Sequence, residues 1–167
     1  MRKLQRPTDQ RMAVIKKLAT DLLWYGKVET TLAKAKEVRS YAEKILTLAI
    51  NTYTDTVKTT KKVVDAKGVS SQREVINDGA KKLAARRSIM SKLYDIQEVR
   101  ADKESKAAFV ARTKGINHPL IEKIFNEYAP KYAKRAEELK IGGGYTRIVK
   151  LSTRVGDCAE TALIELV

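Results

Sequence analysis

The chain has 167 residues, 43% of them hydrophobic, and carries 34 lysines and arginines against 20 aspartates and glutamates. This length favours one domain with a core large enough to fold without disulfides or metals. The single cysteine excludes an intrachain disulfide and is typical of a reducing compartment. No apolar run reaches the roughly 20 residues that span a bilayer, and none follows the basic N-terminus as in a secretory signal, so we expect a cytosolic protein. The net charge of +14 makes nucleic acid the first partner to consider and an anionic membrane surface the second.

Amphipathic helices are predicted in the first third of the chain. A short basic arm, residues 1–7, precedes a helix from about Thr8 to Trp24, which Gly26 ends in the left-handed conformation. A β-prone step follows at residues 28–30, and Thr31 is the predicted N-cap of a second helix. The apolar stripe of that helix consists of Ala35, Val38, Ala42, Ile45 and Ala49.

The middle of the chain is less regular. Residues 51–79 and 95–117 lack a clear hydrophobic period, and we interpret both as insertions into a single domain that spans residues 1–167. Between them the spacing predicts a helix from about Ala80 to Tyr94. Between Lys81 and Lys92 this helix carries five basic residues and no acidic one, which predicts a cationic cluster. The members are Lys81, Lys82, Arg86, Arg87 and Lys92.

The C-terminal third is predicted to form a helix and then a β-hairpin. The helix starts at Pro119, since proline fits the first turn, and Pro130 is expected to break it. Its apolar face consists of Leu120, Ile121, Ile124, Phe125 and Tyr128. Glycines 142–144 redirect the chain. Strands at 145–151 and 162–167 are expected to pair in antiparallel fashion across the loop 154–160.

Several short segments occur along the chain in the order known from one protein family. They include Val28-Glu29-Thr30-Thr31, Ala33-Lys34-Ala35-Lys36-Glu37, Tyr128-Ala129-Pro130-Lys131-Tyr132-Ala133, Gly143-Gly144-Tyr145-Thr146-Arg147-Ile148 and Arg154-Val155-Gly156-Asp157. Together they resemble bacterial large-subunit ribosomal protein seventeen, over about residues 1–51 and 118–167 and more weakly around 80–93. The chain departs from that family in its shorter N-terminal arm and in Gln10, where many members have histidine. Both predicted insertions also lack a counterpart in the compact members.

The resemblance implies an α/β (α+β) fold, in which amphipathic helices pack on a small three-stranded mixed sheet and a basic arm precedes them. The strands would include Val28, Tyr145 and Ala162. It also implies a structural protein near the mouth of the peptide exit tunnel of the large ribosomal subunit. The partners would be large-subunit ribosomal RNA and neighbouring ribosomal proteins, with no enzymatic activity, cofactor, metal, membrane or small-molecule substrate.

Four groups of residues are the candidate RNA contacts, because guanidinium and ammonium groups bind phosphate. The arm contributes Arg2, Lys3, Arg6 and Arg11, and the second helix Lys34, Lys36 and Arg39. The third helix contributes Lys81, Lys82, Arg86 and Arg87, and the C-terminal hairpin Tyr145, Arg147, Lys150 and Arg154. A base can stack on a tyrosine ring. The alternatives are a solvated surface for the basic groups and ordinary strand packing for Tyr145.

Two other functional classes stay open at this point. A free DNA-binding protein would need a tight turn between the first two helices, where the β-prone step stands. An RNA-modifying enzyme would need a cofactor loop or a cluster of catalytic groups, yet glycines 142–144 lead into a strand, which is typical of a turn. His118 and Cys158 are the classical metal or nucleophile candidates. We interpret the first as a capping or surface residue and the second as a small loop residue, with no catalytic or metal site.

Overall fold

A computed structural model of the protein describes residues 2–64 and 70–167, and these residues form helices packed against a small sheet. The helices are α1 (Thr8–Tyr25), α2 (Leu32–Ile50), α3 (Ala80–Lys92), α4 (Lys106–Thr113), α5 (Pro119–Lys123) and α6 (Ala129–Leu139). The strands are β1 (Lys27–Thr31), β2 (Thr56–Val64), β3 (Ser70–Asp78), β4 (Thr146–Thr153) and β5 (Glu160–Leu166). The predicted α+β class is confirmed.

The first two helices form where the apolar spacing predicts them. Gly26 has a φ of 81°, and its N–H donates to the Leu22 carbonyl oxygen at 2.9 Å, so it ends α1 as predicted. Thr31 precedes α2, but its side chain makes no capping hydrogen bond. All five predicted stripe residues of α2 are buried in the core. Hydrophobic spacing therefore fixes which sides of these helices face inward.

The main sheet has the order β1-β5-β4 and uses the three predicted strand regions. It is antiparallel throughout, so the expectation of a mixed sheet is wrong. The short loop between β4 and β5 permits only an antiparallel pair, and β1 lies on the other edge of β5 in the same direction as β4. Ala162 and Ile164 are fully buried on the face towards the helices. The half-buried Leu163 lies between them and points to the other face.

Pro130 does not break its helix, contrary to prediction. A proline lacks the N–H that would continue the α-helical ladder. The turn before it, Ile124–Tyr128, is π-helical, and the N–H of Ala129 donates to the Ile124 carbonyl oxygen. The wider turn accommodates the proline, and α6 continues to Leu139. The helix start at Pro119 is confirmed.

The two stretches without a clear period contain regular structure. In the first, β2 and β3 form an antiparallel hairpin of their own, and residues 65–69 lie outside the described part. In the second, α4 is capped by Ser105, whose Oγ accepts the N–H of Ala108 at 3.2 Å. The description of both stretches as insertions into a single domain remains a prediction.

Candidate nucleic-acid interface

The N-terminal arm lies beside the first turns of α2. The Nε of Arg2 is 4.0 Å from Oε1 of Glu37, and Arg2 and Lys36 line one recess of about 420 Å³. Lys3 and Arg6 are exposed on the arm, which turns where the Arg6 N–H donates to the Lys3 carbonyl oxygen at 3.2 Å. The structure thus brings the predicted arm residues next to predicted residues of α2.

Arg11 and Lys34 are less exposed than the other predicted RNA contacts of the arm and of α2. Arg11 is half-buried in the first turn of α1, and its Nη2 lies 3.4 Å from the Thr8 hydroxyl oxygen. Lys34 is also half-buried, and it lies on a different side of α2 from Lys36, because residues two apart on a helix do not face each other.

A polar side of α2 continues the cationic surface. Its residues line a shallow groove of about 470 Å³, and they are Lys36, Arg39, Ser40, Glu43, Lys44 and Thr47. Glu43 accepts hydrogen bonds from the Thr146 hydroxyl at 2.8 Å and the Thr146 N–H at 3.3 Å, and its Oε1 is 3.6 Å from Nε of Arg39. Glu43 therefore holds the start of β4 against α2 between the exposed cations.

Lys44 belongs to this surface, although the sequence did not mark it as an RNA contact. It lies one turn beyond Ser40 and two turns beyond Lys36, so all three share one helix face. The spacing of Lys36, Ser40 and Lys44 was the available signal, because it marks a continuous polar stripe opposite the apolar one. We define the basic face as Arg2, Lys36, Arg39 and Lys44.

The cationic cluster of α3 is partly neutralised within the fold. Lys82 is only 9% exposed, and its Nζ is 2.8 Å from Asp78. Arg86 lies 2.6 Å from Asp78 and donates to both carboxylate oxygens of Glu122, at 2.5 and 3.2 Å. The expectation that no acid neutralises this cluster is wrong for these two residues, because the acids come from β3 and α5. Lys81 and Arg87 are exposed.

The hydrogen bonds between Arg86 and Glu122 shift the pKa of both groups. The hydrogen bond from Arg86 lowers the pKa of Glu122 below its ordinary value, although burial opposes the shift. The same hydrogen bond raises the pKa of Arg86. The Arg86 guanidinium also lies 5.1 Å from the centroid of the Phe125 ring. These contacts assign Arg86 and Lys82 a structural role at the junction of β3, α3 and α5.

Tyr145 is packed into the core rather than offered to a base. It is 7% exposed, its ring centroid lies 4.9 Å from that of Tyr132, and its carbonyl oxygen accepts the Tyr132 hydroxyl at 3.4 Å. Desolvation by burial raises the pKa of Tyr132 to about 12. This burial favours the alternative of ordinary strand packing for Tyr145 over the stacking of a base.

The basic residues of the C-terminal hairpin are exposed. Arg147 faces Glu165 across the β4–β5 pair, with Nη2 2.6 Å from Oε1. Arg154 donates to the Asp157 carboxylate at 2.5 and 2.8 Å in the connecting loop, which lowers the pKa of Asp157 to about 2. Lys150 is exposed on β4. Because surface ion pairs contribute little stability, these pairs leave the guanidinium groups accessible to another anion.

The glycine turn and the two classical nucleophile candidates show no sign of a catalytic site. Arg135 donates to the carbonyl oxygens of Gly143 and Gly144, at 3.2 and 3.0 Å, so the glycine segment presents acceptors to a cation and forms the predicted turn. His118 lies 3.2 Å from Asp95 at the surface, and Cys158 is an exposed loop residue. Within residues 2–64 and 70–167, no three acidic, His or Cys side chains are grouped to hold a metal ion.

The connection between α1 and α2 bears on the DNA-binding alternative. It is β1, a strand of the main sheet, so the two helices are not joined by the tight turn of a helix-turn-helix. None of the helices in the described ranges is both long enough and apolar enough to cross a bilayer.

Comparison with known proteins identifies the family. The family described as "Ribosomal protein L17" matches residues 14–167. The chain belongs to the ribosomal protein L17 family. Membership confirms the resemblance seen in the sequence, and it makes the chain a structural ribosomal protein and not an enzyme.

Three bacterial relatives of L17 type match almost the whole chain, and each is named large ribosomal subunit protein bL17. The protein of Acetivibrio thermocellus is 36% identical, and that of Lachnospira eligens is 38% identical. The protein of Ruminiclostridium cellulolyticum is 40% identical. In each comparison the match covers 99% of this chain and 98% of the relative.

Proposed function

We propose that this protein binds large-subunit ribosomal RNA through its N-terminal arm and basic face, and so stabilises the large subunit of the cytoplasmic ribosome for translation. The observation that carries the proposal is that two neighbouring recesses share Lys36. Arg2 and Lys36 line the first recess, and Lys36, Arg39 and Lys44 line the second. A surface of this kind matches the spaced phosphates of an RNA backbone.

Phosphate contact explains why this surface tolerates its own charge. Clustered like charges repel one another and destabilise a compact chain. Phosphates neutralise them and release condensed counterions, which supplies most of the sequence-independent affinity. Arg39 is exposed beside the half-buried Glu43, and an i,i+4 pair of this kind contributes only about 0.3–0.5 kcal/mol, so Arg39 can turn to a phosphate at little cost.

The remaining predicted contacts are secondary in this proposal. Exposed residues outside the arm and the basic face include Lys81, Arg87, Arg147, Lys150 and Arg154. Arg11 and Lys34 are half-buried. The site near the exit-tunnel mouth and the contacts with neighbouring ribosomal proteins rest on the family resemblance and on the large-subunit names of the relatives.

A charge-reversal variant of α2 tests the proposal. In the variant, Lys36→Glu, Arg39→Glu and Lys44→Glu are combined, because all three side chains lie on one exposed groove. We expect the variant to leave the large-subunit fraction of a sucrose gradient at a salt concentration that retains the wild type. When log affinity for purified large-subunit RNA is plotted against log salt concentration, the slope for the variant should be shallower than that of the wild type by roughly 2 to 3.

A matched control carries the same change in charge elsewhere. Lys103→Glu, Lys106→Glu and Lys114→Glu alter three exposed lysines around α4. We expect this control to sediment with large subunits as the wild type does. Equal incorporation of the α2 variant and the control would contradict the proposed interface.

A further inference from the structure

The hairpin of β2 and β3, which we call the ribbon, is exposed on both faces. Every residue from Thr56 to Lys62 is exposed. Val57 is 50% exposed and Ile76 is 66% exposed. Val57 pairs with Asn77, one position along from the pair of Lys58 with Ile76, so Val57 and Ile76 project from opposite faces.

A ribbon of this kind is incomplete by itself. Antiparallel sheets in water usually bury one face against a core, and an isolated two-stranded hairpin is marginally stable at best. Here both described faces carry exposed apolar side chains. A partner that covers these faces would therefore stabilise the ribbon.

Charge indicates the chemistry of that partner. In β2 and β3 the sequence has four basic residues, Lys58, Lys61, Lys62 and Arg73, and two acidic residues, Glu74 and Asp78. Asp78 is paired with Lys82 and Arg86 of α3. Lys58 and Lys62 share one face, and Lys61 projects from the other, because side chains alternate along a strand. Both faces thus present cations, which matches an anionic partner on each side.

The base of the ribbon is fixed to the body of the protein. The Gly79 N–H donates to the Asp55 carbonyl oxygen at 2.9 Å, which joins the two ends of the ribbon. The Asp55 carboxylate accepts the N–H groups of Lys81 at 2.8 Å and Lys82 at 3.3 Å, so it caps α3. Asp78 adds its ion pairs to α3. These contacts anchor the base of the ribbon to α3.

We propose that the ribbon inserts between two segments of ribosomal RNA, with phosphates facing each of its faces. The strands are nine residues long, which gives the ribbon a reach of roughly 30 Å. A two-sided cationic ribbon on a fixed base enters a cleft, whereas a one-sided cationic surface lies on an RNA exterior. The inference rests on the proposed function, since it needs the chain to bind the large subunit.

Tethered cleavage from the two faces tests the insertion. The probes are iron–EDTA groups attached to Val57→Cys and, separately, to Ile76→Cys, both in a Cys158→Ser background that removes the exposed native thiol. The two sites lie at similar depth on opposite faces. We expect each probe, in assembled large subunits, to cut ribosomal RNA, and the two sets of cut nucleotides to differ. RNA cleavage from only one face, or cleavage of a neighbouring protein instead, would overturn the insertion.

A charge variant separates this inference from the proposed function. Lys58→Glu, Lys61→Glu and Lys62→Glu are combined, and a circular dichroism spectrum checks that the exposed changes leave the fold intact. We expect incorporation through the basic face to persist, with loss of the RNA protections that map to the ribbon. Persistence of all protections would refute the ribbon alone, whereas absence of the wild-type chain from large subunits would refute the proposed function.

Discussion

At the scale of single residues, charge pairing decides which cations are open to a ligand. Lys82 and Arg86 belong to a basic cluster that contains no acidic residue in the sequence. Their acidic partners lie outside it: Asp78 is four residues before Lys82, and Glu122 is 36 residues after Arg86. Sequence spacing shows neighbours on one helix, but it does not show which distant carboxylate the fold brings to it. The buried Tyr145 illustrates the same limit for an aromatic side chain.

The Arg86–Glu122 contact makes part of the stability depend on pH. Because the fold lowers the pKa of Glu122 from its ordinary value of 4.5, its contribution is fully present above that pH. The contribution is lost as the pH falls through the lower pKa of the folded state. We expect Glu122→Gln to be less stable than the wild type at neutral pH, and the difference to shrink in acid. Urea unfolding across this range measures it, and a difference that grows in acid would contradict the assignment.

Gly79 and Asp55 provide a second test at this scale. A Cβ on Gly79 would lie 2.3 Å from the Asp55 carboxylate, so Gly79→Ala must displace that cap. We expect Asp55→Ala to lower the free energy of unfolding by about 1 kcal/mol through loss of the cap. Gly79→Ala should cost more in the wild type than in the Asp55→Ala background, because the clash is gone there.

A double-mutant cycle by urea unfolding measures this coupling, with the exposed Thr54→Ala as the control for a neutral change. Strictly additive effects of the two substitutions would show that the Asp55 carboxylate does not restrict the side chain at residue 79.

At the scale of elements, hydrophobic period predicted most of the structure. The stripe of α2 and the apolar face that starts at Pro119 both form as expected, since burial of a continuous stripe dominates local preference. The local rule for proline predicts a break at Pro130, but the π-helical turn before it shows that a wider turn can absorb the missing N–H. The ribbon and α4 escaped prediction because both are largely exposed, so no apolar period marks them.

The packing of β5 against the helices predicts different losses of stability for substitutions at two neighbouring residues. Ile164 is fully buried on the helix side of the sheet, and the neighbouring Leu163 is half-buried on the other face. Ile164→Ala should lower the free energy of unfolding by about 2–5 kcal/mol, because it leaves a cavity in a packed core. Leu163→Ala should cost clearly less. Chemical denaturation of both variants measures the difference, and equal losses would contradict the assignment of the buried face.

At the scale of the whole molecule, composition predicts nucleic acid as the class of partner, but it does not predict which surface would bind it. The net charge of +14 and the ordered family segments sufficed to expect a ribosomal protein, and family membership confirms it. The interface depends on which basic residues the fold collects. Arg2 and Lys44 line two recesses that share Lys36, and only the packing of the arm against α2 places Arg2 beside Lys36.

The hydrogen bond between the Gly79 N–H and the Asp55 carbonyl oxygen joins the two ends of the ribbon, so the length of the ribbon is independent of the core. Chain enters and leaves at Asp55 and Gly79, whose backbones touch, so any number of residue pairs fits between them without moving α2 or α3. Such a junction lets evolution lengthen, trim or replace the excursion while the rest of the protein keeps its shape. Under the proposed insertion of the ribbon, variation in ribosomal RNA at that place can be followed by the protein one residue pair at a time.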